Sequence, residues 1–183
     1  SEPTAQSDPE GYLASIKFSR SLRCKRTSKR GSYADIGDPN GVPLLMLMPA
    51  GAHGGLPPRT VRKRPRTPRE PLGLQVVVPL TLADPLAVRY GIRLIAVDRP
   101  GVGATEPVPL EERIPLSCRE YRDAWVDTSL LLEEIIVSVL EHLEVRPRHI
   151  LAHSAGMYYA LQLLVHHADA FTMNPSDPLP FLY

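Results

Sequence analysis

An α/β protein built on a mostly parallel sheet is predicted by three observations. Two short apolar runs, Pro43–Met48 and Ile92–Val97, lack polar alternation, as a strand covered on both faces requires. From Ser117 to Leu143, apolar residues recur at three- and four-residue steps, the helical period. Strand and helix signals then alternate along the chain after an opening hairpin, the order that yields parallel strands joined by crossover helices.

Residues 1–10 are polar, hold Pro3 and Pro9, and read as a mobile terminus. Ala14–Phe18 and Arg20–Cys24 semi-alternate, Lys25–Gly31 turns, and Ser32–Ile36 returns, which together describe an antiparallel hairpin. Gly37-Asp38-Pro39-Asn40-Gly41 supplies positive φ, fixed φ and a side-chain cap, so a sharp reversal is expected there. After the Pro43–Met48 strand, Leu74–Leu82 reads as extended, with Pro79 keeping it out of a central strand. Asp84–Tyr90 reads as a short helix with Asp84 as N-cap, Pro85 at the first helical position and Gly91 past the end.

Ile92–Val97 is a strand bounded by Gly91 and by Asp98-Arg99-Pro100-Gly101. In the helical region Leu131, Ile135, Val139, Leu140 and Leu143 share one face, while Glu133, Glu134 and Glu141 fall off it. Asp127 is placed to cap a second helix after Tyr121–Trp125, and Pro147 ends the pattern. His149–Ala152 is a brief strand, and Ala155–His167 a helix with Met157, Ala160, Leu161 and Leu164 on its buried stripe. The tail, with Pro175, Pro178 and Pro180, is too short to add a layer.

The 183 residues are 43% hydrophobic and 22% charged, which suits one domain with one core. No apolar run approaches the ~18–20 residues that cross a bilayer. Ser1–Glu10 has neither a basic n-region nor an apolar h-region, so a cytoplasmic protein is expected. Cys24 and Cys118 lack ligand-like spacing, which predicts free thiols and no zinc site.

Charge is unevenly spread. Six basic residues lie in Arg20–Arg30 and six in Arg59–Arg69, with no acid in either window, whereas the other nine basic residues face all 20 acids. The first cluster reads as a solvated hairpin turn. The second, in a proline-rich stretch, carries no aromatic side chain for base stacking, so nucleic acid is not the expected partner.

One position carries chemistry. Ala152-His153-Ser154-Ala155-Gly156 is a small-x-Ser-x-Gly pentapeptide between a strand and a helix. A serine lifted on a strained turn needs small residues two before and two after it, because strand and helix backbones approach closely there. The N–H of Ala155 then opens the following helix and could bind a developing oxyanion.

With the hairpin, the Gly37–Gly41 turn, Pro43–Met48 and Asp98-Arg-Pro-Gly-Val-Gly103, this pentapeptide makes the chain resemble the α/β-hydrolase superfamily from about Ser32 to Ala168. The resemblance implies a partial α/β-hydrolase fold over residues 11–183, interrupted by a basic proline-rich insertion at 56–82. It implies a nucleophile role for Ser154, a first oxyanion donor at Ala155, and a second at Ala50 or in His53-Gly54. A small ester- or amide-like substrate is expected, with no cofactor and no metal. The block at 56–82 is either a genuine surface insertion or translated non-coding sequence.

In this superfamily the acid and histidine follow the serine. Only His166 and His167 lie downstream of Ser154, about 18 Å along a helix at 1.5 Å per residue, so neither is expected to serve as base. They read instead as a solvated helix face. The chain is therefore expected to be an incomplete serine hydrolase, weak or inactive alone. The alternative is a non-catalytic fragment or interaction module whose basic segments bind an acidic partner. His149–Ala152 would then be an exposed sheet edge open to self-association.

Overall fold

The apolar runs become strands of one sheet. The computed structural model describes residues 3–4, 6–47, 74–107, 118–171 and 181–182, and their side chains except at 74–79, 118–129 and 181–182. The strands are β1 (Arg20–Arg23), β2 (Arg30–Gly37), β3 (Val42–Leu47), β4 (Ile92–Val97), β5 (His149–Ala152) and β6 (Phe181–Leu182). They lie in the order β1-β2-β4-β3-β5-β6. β1 and β2 form the expected hairpin, β2 pairs antiparallel with β4, and β4, β3, β5 and β6 run parallel. The Gly37–Gly41 reversal forms as expected: Gly37 has φ 86°, and the Gly41 N–H donates to the Asp38 carbonyl at 2.9 Å.

The connections decide the layers. β3 leads through α2 (Leu74–Arg89) to β4 on one side, and β4 leads through α3 (Cys118–His142) to β5 on the other side of β3. Crossovers between parallel strands are right-handed, so reversing direction across the sheet puts the two helices on opposite faces. One core accordingly joins Leu80 of α2 to Tyr12, Phe18, Ala34, Ile36, Leu94 and Ala96. On the other face Leu45, Leu47, Ile95 and Ile150 of the sheet meet Ile135, Val139 and Leu140 of α3 and Leu163 of α4 (Gly156–His166). Each such fully buried side chain contributes about 1.5–3 kcal/mol.

Several local readings are corrected. Ala14–Phe18 is not a strand: Ile16–Phe18 is a 3₁₀ turn that buries Phe18 edge-to-face on Tyr12, ring centroids 5.1 Å apart. Tyr12 itself belongs to α1 (Pro9–Leu13), whose N-terminus the Asp8 side chain caps through the Gly11 N–H. Leu74–Leu82 is helical, and Asp84 caps nothing; both lie in α2, which runs through Pro79 and Pro85. An interior proline removes a helical bond, yet burial of Leu80, Asp84 and Ala87 outweighs that loss. Asp84 accepts from Tyr12 Oη at 2.6 Å, Lys17 Nζ at 2.7 Å and the Gly37 N–H at 2.9 Å, tying α1, the 3₁₀ turn and β2 to α2. Burial alone would raise the Asp84 carboxyl, but these three bonds overcome it and hold it below its ordinary value.

On the opposite face α3 is one helix, undivided at Asp127. Its stripe of Ile135, Val139 and Leu140 is buried as expected, but so is Glu133, fully removed from solvent. The cause lies in α4. His166 Nδ1 sits 2.8 Å and His167 Nε2 3.8 Å from Glu133 Oε2, so both histidines turn a ring nitrogen toward this carboxylate, while His166 itself stays exposed as expected. Glu133 Oε1 has no hydrogen-bond partner among the described residues. The stripe of α4 is also rotated: Gly156, Tyr159, Ala160 and Leu163 are buried, while Met157 and Leu161 are exposed. Finally, β5 is not the sheet edge, because β6 pairs with His149 and Ile150.

Removing the exposed histidine from this buried carboxylate has a defined consequence. His166→Ala strips a hydrogen bond from a buried carboxylate and is expected to cost about 1–3 kcal/mol in urea unfolding. A loss below about 0.5 kcal/mol, the range of ordinary surface substitutions, would show that Glu133 is held by other means.

Candidate active site

The register brings three carboxyl ends to one edge of the sheet. Met46 of β3 lies opposite Ala96 of β4, and Leu47 lies opposite Ala152 of β5. Asp98 and Ser154 therefore leave the sheet on the same side, flanking the end of β3. Chain direction reverses at β3, and ligands of open α/β sheets bind in the crevice that such a switch point leaves.

Ser154 occupies the turn from β5 into α4 with φ 55°, the left-handed region. That conformation costs an L-residue roughly 1–2 kcal/mol, so surrounding structure must impose it. The constraint is visible one residue pair on. A Cβ on Gly156 would collide with the Leu47 carbonyl oxygen, so α4 lies against β3 at glycine distance. On the strand side the His153 N–H donates to the same Leu47 carbonyl at 3.1 Å. Between these two fixed points the chain turns in two residues and leaves Ser154 exposed.

Ala155, with φ −58° and ψ −18°, is the N-cap of α4, and no side chain caps the helix. The Gly156 N–H donates to His153 O at 3.0 Å and the Met157 N–H to Ser154 O at 3.0 Å. Among the described residues neither Ser154 Oγ nor the Ala155 N–H has a hydrogen-bond partner, so the serine is not occupied as a helix cap. His166 and His167 lie at the far end of α4, about 18 Å away at 1.5 Å per residue. His153 is exposed beside the serine and makes no hydrogen bond to it. Ala50, His53-Gly54 and residues 56–73 of the basic block lie outside the described residues, whereas Leu74–Leu82 belongs to α2.

The loop after β4 is held by two side chains that the sequence does not advertise. Ser32 Oγ donates to Asp98 Oδ2 at 2.6 Å, Thr105 Oγ1 donates to the Asp98 carbonyl at 3.1 Å, and the Ala104 N–H donates to Ser32 Oγ at 3.1 Å. A Cβ on Gly103 would strike the Asp98 carboxylate. Asp98 thus serves as a buried post around which the loop folds, while its Oδ1 lacks a partner among the described residues. Nothing in the sequence sets Ser32 apart from Arg30 and Asp35, the other polar residues of β2.

Burial pushes the Asp98 carboxyl up to about 6, against the opposing pull of the Ser32 hydroxyl and the Arg99 charge. Its folded value exceeds its unfolded one, so its stabilising contribution is complete below about pH 4 and is lost as pH rises through 6.

No protein-family model matches the sequence, and comparison with curated proteins finds no match. Solved structures do match. The epoxide hydrolase VrEH1 from Vigna radiata superposes with TM-score 0.50 at 18% identity, covering 85% of this chain and 36% of that one. The meta-cleavage product hydrolase CumD superposes with TM-score 0.50 at 17% identity, covering 87% of this chain and 44% of that one. An epoxide hydrolase VrEH2 variant gives TM-score 0.51 at 17% identity, with 87% and 38% covered. The chain has the α/β-hydrolase fold and spans less than half the length of these neighbours. No helix among the described residues is long and apolar enough to cross a membrane.

Two substitutions test this geometry. Gly156→Ala forces β3 and α4 apart and is expected to cost about 1–3 kcal/mol in chemical denaturation; unchanged stability would deny the close approach. Asp98→Asn removes a group that prefers its neutral form when folded. At about 1.4 kcal/mol per decade of proton affinity, its stability relative to the parent chain should rise by roughly 2–3 kcal/mol between pH 4 and pH 7. A pH-independent difference would contradict the buried carboxyl described above.

Proposed function

We propose that the chain is the nucleophile-bearing part of an α/β-hydrolase-type serine hydrolase acting on a small ester- or amide-like substrate. Ser154 is the nucleophile, the Ala155 N–H one oxyanion donor and Ala50 the candidate second; no residue of this chain is assigned as the acid or the base of the triad. One observation carries this reading: an exposed serine at φ 55°, free of any capping bond, on the turn between a parallel strand and a helix. Strained serines of this kind expose the hydroxyl to a substrate while the helix amides face the developing oxyanion.

Attack by Ser154 Oγ on an acyl carbon forms one C–O bond as the carbonyl π pair moves onto its oxygen, and releases the hydroxyl proton, which a base must take and return to the alcohol or amine that leaves when the carbonyl re-forms. General-base help is worth roughly 10²–10⁴-fold, and no described histidine reaches the hydroxyl. The chain alone is therefore weak or inactive. A second reading, a non-catalytic module whose basic segments bind an acidic partner, draws on the same lack of a base. It also draws on Lys25 and Lys29, whose ammonium groups have no acidic partner among the described residues.

Labelling by a fluorophosphonate separates the two. The hydrolase reading expects slow covalent labelling of the folded chain that is abolished in Ser154→Ala, retained in His153→Ala and accelerated by added imidazole as an external base. Absence of labelling in folded protein, with or without imidazole, would favour the non-catalytic module.

A further inference from the structure

The outer side of α2 carries an exposed apolar stripe. Leu80, Asp84 and Ala87 turn inward against the sheet, and at 3.6 residues per turn that phase sends Leu82 and Leu86 outward, 69% and 53% exposed. The Tyr90 N–H donates to the Leu86 carbonyl at 2.9 Å, a helical bond that continues the stripe, and Tyr90 is 67% exposed. Val88 is exposed on one flank. Exposed Ile16 belongs to the segment that Tyr12 and Lys17 tie to Asp84 of the same helix.

The composition of this face is that of a protein interface. Of the exposed side chains from 82 to 90 only Arg89 is charged, and its guanidinium lies 5.7 Å from the centre of the Tyr90 ring. Interface centres are poor in charge and rich in aromatic side chains and arginine. A lipid surface would call for exposed cations around the apolar stripe, whereas Lys17 is bonded to Asp84 at 2.7 Å.

Size and symmetry select the occupant. At roughly 150 Å² for a fully exposed large side chain, Ile16, Leu82, Leu86, Val88 and Tyr90 leave about 500 Å² of apolar surface in water. Interfaces are about 60% apolar, so a face of this kind corresponds to about 800 Å² per partner, the size of a standard stable interface. The exposed stripe of α4, at Met157, Leu161 and Val165, is about half as large on the same measure. Leu82, Leu86 and Tyr90 are spaced by four residues and centred on Leu86. A two-fold axis at Leu86 therefore sets Leu86 on its own copy and each Leu82 against Tyr90 of the other copy, with the two Arg89 side chains at opposite ends of the contact.

We propose that α2 is the contact face of a homodimer, in which two copies of this chain pack their Leu82–Leu86–Tyr90 stripes antiparallel about that axis. The contact is independent of the hydrolase reading, since α2 lies on the face of the sheet opposite α4.

Sedimentation velocity of the full chain, from low to high micromolar concentration, tests the proposal. The mass is expected to rise from 20.2 kDa toward twice that value. Leu86→Glu and Leu86→Arg each set like charges across the axis and should weaken the dimer by about thirtyfold or more, the scale of an interface hot spot. An equimolar mixture of the two variants should restore it, because opposite charges then meet at the axis. Leu161→Glu, on the smaller stripe of α4, should leave it unchanged. A chain that stays monomeric throughout overturns the proposal, whether its α2 face is covered by another part of the chain or binds anionic vesicles. So does a dimer that survives Leu86→Glu, a mixture that fails to re-form it, or an equal loss in Leu161→Glu.

Discussion

The approach of the Gly156 backbone to the Leu47 carbonyl is the contact on which the candidate site depends. It fixes how closely α4 may lie against β3, and with the His153 bond to the same oxygen it leaves two residues in which to turn from strand to helix. A turn that tight puts Ser154 in the left-handed region, and the strain is sustained because β5 is held in register with β3 over four residues. The same contact sets the phase of α4. With Gly156 inward, Tyr159, Ala160 and Leu163 follow at helical spacing, and Met157 and Leu161 face outward.

Buried carboxylates do comparable work elsewhere in the fold. Asp84 joins α1, the 3₁₀ turn and β2 to one helix, Asp98 organises the loop after β4 with Ser32, and Glu133 receives the end of α4 through His166. Asp35 adds a fourth such post, gripped by Arg93 across the β2–β4 pair through two bonds of 2.9 Å. All four lie at junctions between elements far apart in sequence. Their hydrogen bonds offset the cost of burial, and removing a partner leaves an acceptor unsatisfied.

That distribution explains what could be read from the chain alone. β4 and β5 were legible because strand propensity and turn residues agree within Ile92–Val97 and His149–Ala152, and the mostly parallel sheet followed from their alternation with helices, whereas the order of the strands was not read from the chain. The small-Ser-small pattern likewise marks the β5–α4 turn locally. α2 was not legible, because Pro79 and Pro85 dominate its local signal while its stabilising contacts, at Leu80, Asp84 and Ala87, are made with strands and turns elsewhere. Glu133 looked like a surface acid for the same reason: its partner His166 lies 33 residues away. The stripe of α4 was misphased because its reference point is a backbone clash, not a hydrophobic residue. Phe181–Leu182, two residues among prolines, carried no strand signal until β5 offered an edge.

The stability of Ser154→Gly tests the strained turn most directly. Glycine reaches positive φ without the Cβ penalty, so the account predicts that the variant is at least as stable as the parent chain, by up to about 1 kcal/mol, in urea unfolding at neutral pH. An ordinary helix-capping serine would lose a few tenths of a kcal/mol on the same change. A destabilised Ser154→Gly would contradict the left-handed turn and, with it, the outward-held hydroxyl.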